Sequence, residues 1–349
     1  MSTLPPASPG APDTVSGSAP VAASERFTLV GTGREAVRED FAAAVSAGLT
    51  VPDKRLSCAW LYDREGSLLF ERICTLPEYY PTRCEEEILR THTAGILEGL
   101  APGTTLVELG SGSAVKTRVL IEALLERRGR LLYAPIDISR SMLEASSRAL
   151  LADYPRLRVL GVAGDYRDGL HELRRRLEGP RLVLWLGSTV GNLERAEAAR
   201  FLAEVRHDLD ERDRLLLGVD LRKDRGTLER AYDDSQGVTA QFNKNLLARI
   251  NRDLGGHFDL EAFVHVALYD ERLGRVEMHL ESLHGQVVRI DALDLEVPFS
   301  AGERIHTESS HKYSRHEIED LAQAAGYALE AQWLDAAECF SLNRLRPLG

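Results

Sequence analysis

From Thr104 onward the chain alternates short apolar runs with segments of helical spacing. TTLVELG (104–110) is followed by AVKTRVLIEALLERRG (114–129), with apolar Val115, Val119, Leu120, Ala123 and Leu124 spaced as on one helical face. LLYAPID (131–137), SRSMLEASSRALLADY (139–154), LRVLGVAGD (157–165), a charged helix around 168–178, PRLVLWLGS (180–188), a helix near 194–208 and DRLLLGVDL (213–221) continue the series. Strands that are apolar on both faces belong to a parallel sheet covered on two sides. The pattern predicts a doubly wound α/β core whose ligand sits at the carboxyl ends of its strands.

After residue 224 the period changes. Residues 225–256 read as helices, VTAQFNKNLLARINRDLG (238–255) most clearly. FVHVALYD, RVEMHLESLHG and QVVRIDALDLEV then alternate with period two, which predicts an antiparallel meander. RHEIEDLAQAAGY (315–327) returns to helical spacing, and ALEAQWLDA and CFSLNRLRP complete the sheet as two strands. The expected organisation is a tail at 1–24, an N-terminal part of a substrate domain at 25–80, a core at 81–224, an inserted α+β substrate domain at 225–310, and the end of the core at 311–349.

Composition narrows the function classes. A formal charge of −11 argues against a broad nucleic-acid or anionic-membrane surface. Arg174, Arg175 and Arg176 form the one compact basic cluster, and a solvated helix end accounts for it. The four cysteines show no metal-type pairing and suit reduced thiols in a cytoplasm. No apolar run approaches the ~20 residues of a membrane span. Residues 1–24, rich in Pro, Ala, Ser and Gly without a basic start or an apolar centre, read as a disordered tail and not a signal peptide.

VELGSGSAVKT (107–117) lies at the first strand-to-helix turn, where Gly110 and Gly112 allow a tight turn and a close approach to a ligand. The third glycine of the dinucleotide fingerprint is missing, which disfavours an NAD-dependent oxidoreductase. Asp137 ends the second strand, where a carboxylate accepts bonds from ribose hydroxyls, and Asp165 with Tyr166 ends the third, at the adenine position. Either aspartate could equally cap the helix that follows. Together with Glu108 and the two glycines they favour a nucleoside site, and the pattern resembles class I methyltransferases more than dehydrogenases, which implies S-adenosylmethionine. No Asn-Pro-Pro-aromatic motif of nucleic-acid adenine methyltransferases occurs.

LPEYYPTR (76–83), ELGSGSAVKT (108–117), YAPIDIS (133–139), GDY (164–166), GSTVGN (187–192), AYDDSQGVTAQFNKN (231–245), VEMHLES (276–282) and HTESSHKY (306–313) follow one another in the order of one family. From about residue 25 to the end, the chain resembles the histidine Nα-methyltransferases of ergothioneine biosynthesis. The resemblance implies a class I, Rossmann-like methyltransferase core and three methyl transfers from S-adenosylmethionine to free L-histidine, giving hercynine. It implies cofactor contacts from Gly110, Lys116, Asp137, Asp165 and Tyr166. For the substrate it implies Asn192 and Tyr232 at the carboxylate, Tyr80 in preference to Tyr79 at the amine, and Met278, Glu308 and Ser310 around the imidazole. Tyr80 and Asn192 are the residues it places at the reacting centre. The partner is a free amino acid, a monomer is the simplest expectation, and tryptophan or tyrosine is the alternative substrate. From the residues alone, Asn192 reads as a helix cap, and Tyr232 and Met278 as packing.

RIHTESSHKYSRH (304–316) contains His306, His311 and His316 at steps of five. That spacing suits neither one helical face nor one side of a strand, so no metal site is expected. Glu308 and Ser310, two residues apart, would share a face of an extended strand.

Overall fold

The computed structural model of the chain describes residues 25–31 and 37–349. The expected tail at 1–24 lies outside the described residues.

In chain order the first elements are β1 (Phe27–Gly31), α1 (Val37–Leu49), α2 (Arg64–Ile73) and α3 (Tyr80–Ile96). The alternating series follows as β2 (Thr105–Leu109), α4 (Arg118–Arg128), β3 (Leu131–Asp137), α5 (Arg140–Asp153), β4 (Leu157–Ala163), α6 (Tyr166–Arg176), β5 (Arg181–Trp185), α7 (Arg195–His207) and β6 (Arg214–Asp220). Then come α8 (Arg225–Tyr232), α9 (Val238–Leu254), β7 (Phe263–Asp270), β8 (Arg275–Ser282), β9 (Gln286–Ile290), β10 (Leu295–Phe299) and β11 (Arg304–His311). The chain closes with α10 (Arg315–Ala324), β12 (Tyr327–Leu334) and β13 (Phe340–Pro347).

Eight strands form the large sheet in the order β1-β4-β3-β2-β5-β6-β13-β12. The first six pair in parallel, and β13 runs antiparallel to both β6 and β12. The order reverses between β3 and β5 around β2, which opens a crevice above the carboxyl end of β2. One face packs Ile88, Leu89, Leu120, Leu124 and Leu150 from α3, α4 and α5. The other packs Leu170, Leu173, Phe201, Leu202 and Ile318 from α6, α7 and α10. Helices on both faces make this a doubly wound, Rossmann-like α/β sheet.

A separate hydrophobic core joins Phe41, Val45, Leu61, Leu69 and Ile73 to Phe242, Leu246, Ile250, Met278, Leu280 and Ile305. Here α2 lies against α9, and α9 lies against β7 and β8. The helix α9 is begun by Asp234, whose carboxylate accepts from the backbone N–H groups of Gln236, Val238 and Thr239.

Two expectations change. Residues 27–31 do not join the substrate layer, because β1 is hydrogen-bonded to β4 at the edge of the large sheet. QVVRIDALDLEV is a hairpin, β9 and β10, whose turn at Asp291–Leu293 ends with Asp294 at φ 45°. The place beside β8 that a meander would give to β9 is taken by β11. Pro81 occupies the first turn of α3, where a missing N–H is tolerated.

Candidate active site

The turn after β2 is held by two carboxylates. Gly110 (φ 70°) and Gly112 (φ 48°) both adopt left-handed backbone, which favours glycine. A Cβ on Gly110 would lie 2.6 Å from the Tyr166 hydroxyl, whereas one on Gly112 would meet no atom within 4 Å, so this glycine faces an open cradle. The Asp137 carboxylate accepts from Gly112 N–H at 2.9 Å and from Ser139 N–H at 2.8 Å. It therefore ties the end of β3 to the glycine turn. Burial raises its pKa, and the two N–H bonds oppose that rise. Next to it Ile138 is 57% exposed. Asp165 accepts from Asp168 N–H at 2.9 Å and caps α6, so its helix-capping role is present.

Lys116 is not a solvated helix residue. It precedes α4 in the turn and pairs with Glu85, a fully buried carboxylate on α3. Burial opposes its charge, but Glu85 outweighs burial and holds the ammonium above its ordinary range. Glu85 also accepts from Gly187 N–H at 2.8 Å, so it links Lys116 to the loop after β5. Sequence reading missed Glu85; a charged residue within an apolar helical stripe was its one signal. Beneath the turn Glu108 is fully buried, bonded by the Thr117 hydroxyl at 2.6 Å and by the Tyr133 hydroxyl, and burial pushes it up to about 7.

Asn192 ends the short 3-10 turn Thr189–Asn192 that follows β5. It does not cap α7, whose N-cap position is Glu194.

The strand β11 carries a bulge between His306 and Glu308. His306 pairs with His279, but Glu308, not Thr307, pairs with Met278. The extra residue turns Glu308 to the face opposite His306. Thr307 is anchored by its hydroxyl donating to the Met278 carbonyl at 3.0 Å. Directly opposed residues share a face, so Glu308 and Met278 face the same side, and Ser310 follows two positions on. The bulge also brings His306 and His311 onto one face, contrary to the parity expected of a regular strand. They hold no common ligand position there: the His306 Nε2 meets the Ser309 hydroxyl at 2.9 Å, and the His311 Nε2 lies 3.5 Å from Glu194. His316 is on the exposed side of α10. Among the described residues, no group of three or more His, Cys, Asp or Glu side chains is arranged to hold a metal ion.

Glu308 is buried, and its Oε2 has no hydrogen-bond partner. Burial raises its pKa to about 7, against a smaller lowering by the Lys312 ammonium. Tyr62, Tyr79 and Tyr232 all feel its charge. The Tyr79 ring packs against Phe70 (6.1 Å between centroids) and Tyr232 (6.3 Å), and Tyr62 packs against Phe70 and Phe242. Among the described residues, no side chain is hydrogen-bonded to the hydroxyl of Tyr62 or Tyr79. Burial raises the pKa of both, so they remain phenols.

Tyr80 faces elsewhere. Its hydroxyl lies 2.8 and 2.9 Å from the two Asp220 carboxylate oxygens and receives a bond from Lys223 at 2.7 Å. The choice of Tyr80 over Tyr79 for the amine is therefore not favoured by the geometry. Tyr232, the last residue of α8, shares a 2.8 Å bond with the Ser310 hydroxyl. Its carbonyl accepts from His265 Nε2 at 2.8 Å, while His265 Nδ1 is bonded to Asn243. Both ring nitrogens are engaged, which makes this histidine a support and not a base. Tyr62 and Phe70 were missed in sequence; the polar DREGS that follows Tyr62 gives the pair no pattern that marks a pocket.

A family model described as "Histidine-specific methyltransferase, SAM-dependent" matches residues 41–347. The chain is 45% identical to a histidine N-alpha-methyltransferase of Mycolicibacterium smegmatis over 309 residues, covering 88% of this chain and 94% of that protein. It is 32% identical to ergothioneine biosynthesis protein 1 of Neurospora crassa over 285 residues, covering 80% of this chain and 32% of that protein. Among solved structures, magnesium protoporphyrin IX methyltransferase from Synechocystis aligns over 82% of this chain and 96% of that one, at 12% identity and a TM-score of 0.41.

Proposed function

The chain belongs to the histidine-specific, S-adenosylmethionine-dependent methyltransferase family, and we propose that it transfers three methyl groups to the α-amine of free L-histidine. The product is hercynine, an intermediate of ergothioneine biosynthesis. The observation that carries the choice of histidine is the buried Glu308 carboxylate, one oxygen of which has no partner. An apolar side chain would leave that oxygen unpaired, and an imidazole N–H would satisfy it.

The residues around the β2 turn fit the cofactor: two left-handed glycines, an open cradle at Gly112, and the exposed Ile138 beside Asp137. Gly110, Lys116, Asp137, Asp165 and Tyr166 would hold it, and when bound it supplies an electrophilic methyl group on a sulfonium. Methyl transfer to an amine is a direct displacement, so the chain's work is alignment and presentation of a neutral amine. An amine is protonated near pH 7, and a proton must leave before each attack. Tyr79 and Tyr62 hold the amine by their unengaged phenols, which accept one N–H and direct the lone pair. This assigns Tyr79 the role that sequence reading gave to Tyr80. Asn192 and Tyr232 bind the carboxylate, and Met278, Glu308 and Ser310 surround the imidazole.

Among the described residues no helix is long and apolar enough to cross a membrane. A cytoplasmic monomer, acting on a free amino acid without nucleic acid or a membrane surface, completes the proposal. The test is methyl transfer by the purified protein to a panel of free amino acids. Three methyl groups on histidine are expected; transfer to tryptophan with none to histidine would sink the assignment.

A further inference from the structure

Lys312 has no exposed surface, yet it carries a charge inside the site. An ammonium has three protons and no acceptor. All three are placed: on Asp220 Oδ2 at 2.7 Å, the Tyr232 hydroxyl at 2.8 Å and the Ser310 hydroxyl at 2.9 Å. Asp220 ends β6 in the large sheet, and the backbone bonds Tyr313 N–H to Asp220 O and Arg222 N–H to Tyr313 O bind the segment after β11 beside it. The same carboxylate receives Lys223 at 2.5 Å. Two buried ammonium groups therefore face the Asp220 carboxylate, and the other carboxylate whose charge reaches both Lys312 and Tyr232 is Glu308.

The three bonds also limit the directions open to the hydroxyls. Lys312 fills one lone pair on Tyr232 and one on Ser310, and the two hydroxyls share a 2.8 Å bond. After those bonds the pair keeps a single O–H proton, and that proton must point away from Lys312. A carboxylate is the acceptor that suits this proton, with the Lys312 ammonium behind it.

We propose that Lys312, anchored by Asp220, is a positioning residue that forces the Tyr232 phenol to act as donor to the substrate's α-carboxylate. Ser310 then donates to the Tyr232 oxygen, so the phenol has its lone pairs filled and its own proton free. The device makes the enzyme select amino acids over the corresponding amines and amides. It rests on the placing of Tyr232 at the substrate carboxylate, and the test separates the two claims.

The experiment compares wild type, Tyr232→Phe, Lys312→Met and the double variant, with histidine and histidinamide as substrates. S-adenosylhomocysteine binding and thermal unfolding are measured alongside. Wild type prefers histidine; Lys312→Met raises the KM for histidine by about ten- to hundredfold. It changes the KM for histidinamide much less and leaves S-adenosylhomocysteine affinity unchanged. The double variant is no worse than Tyr232→Phe alone, because Lys312 acts through that phenol. An unchanged KM in Tyr232→Phe overturns the carboxylate placement, and the proposal with it. A raised KM in Tyr232→Phe, with equal losses for histidine and histidinamide in Lys312→Met or with additive losses in the double variant, overturns the role of Lys312 alone. Should Lys312→Met not fold, Lys312→Gln keeps a hydrogen-bonding tip, one atom shorter, and removes the charge. It is expected to narrow the same selectivity, and an unnarrowed ratio overturns the proposal.

Discussion

Glu308→Gln should make the ligand-free protein more stable and its grip on histidine weaker. The carboxyl group is fully buried, and burial moves its pKa from 4.5 to about 7 in the folded chain. A carboxyl whose pKa is raised on folding binds its proton more tightly in the native state. The stability it contributes is complete below pH 4.5 and is lost as the pH rises to about 7. At about 1.4 kcal/mol per pKa unit, the shift corresponds to a loss of about 3 kcal/mol once the pH is above 7. Glutamine has nearly the shape of the protonated acid and does not ionise. The variant should therefore match the wild type near pH 4.5 and exceed it by up to about 3 kcal/mol at pH 8.

Histidine binding should move the other way. A hydrogen bond to a charged partner contributes about 1.5–3 kcal/mol, so losing the carboxylate weakens histidine by about ten- to hundredfold. Denaturant unfolding of the ligand-free protein at pH 5 and pH 8 reads the first effect. Calorimetric titration of histidine into the S-adenosylhomocysteine complex reads the second. Glu308→Ala should additionally relax discrimination against apolar amino acids. A Glu308→Gln protein less stable than wild type at pH 8, or one with wild-type histidine affinity, would refute the picture of an unsatisfied carboxylate kept for its ligand.

Tyr79→Phe should lower the rate of methylation with little loss of stability, while Tyr80→Phe, which removes a bond to Asp220, should lower the melting temperature more than it changes the KM for histidine; the reverse pattern in paired kinetic and melting assays would return the amine to Tyr80. Gly110→Ala places a methyl 2.6 Å from the Tyr166 hydroxyl at a φ of 70°, and should destabilise the protein by about 1–3 kcal/mol and weaken S-adenosylhomocysteine. Removing the Tyr166 hydroxyl in the same chain should restore only the part due to the contact. Asp137→Ala should weaken S-adenosylhomocysteine by about tenfold or more in calorimetry; wild-type affinity would contradict its place at the cofactor.

The core sheet was legible because its strands are covered on both faces and so appear as apolar runs whatever their neighbours. β1 was not: FTLVG is only half-buried, and its partner β4 lies far along the chain. The β9–β10 hairpin hid in an alternation that carries on through its turn, since Asp294 takes the left-handed conformation without a glycine to mark it. The glycine turn after β2 was legible through Gly110, Gly112 and Asp137, whose chemistry is local. That the Tyr79 ring packs on Phe70 and Tyr232 while the Tyr80 hydroxyl meets Asp220 depends on where α3 begins, and Pro81 fixes that only once the helix exists.

The bulge at Thr307 shows why polar patterning cannot assign the substrate pocket by itself. A period-two reading of RIHTESSH puts His306 and Glu308 on one side; a single unpaired residue puts them on opposite sides and changes what the strand presents. Lys312 is a second case, because a lysine in HTESSHKY has the composition of a solvated loop. It can be buried only because Asp220 arrives from another layer with the opposite charge. The large sheet supplies Asp220 and the glycine turn, and the inserted layer supplies Tyr232, Met278, Glu308 and Ser310. A substitution at Asp220 should therefore disturb both layers at once, through Tyr80 and Lys223 on one side and through Lys312 to Tyr232 on the other.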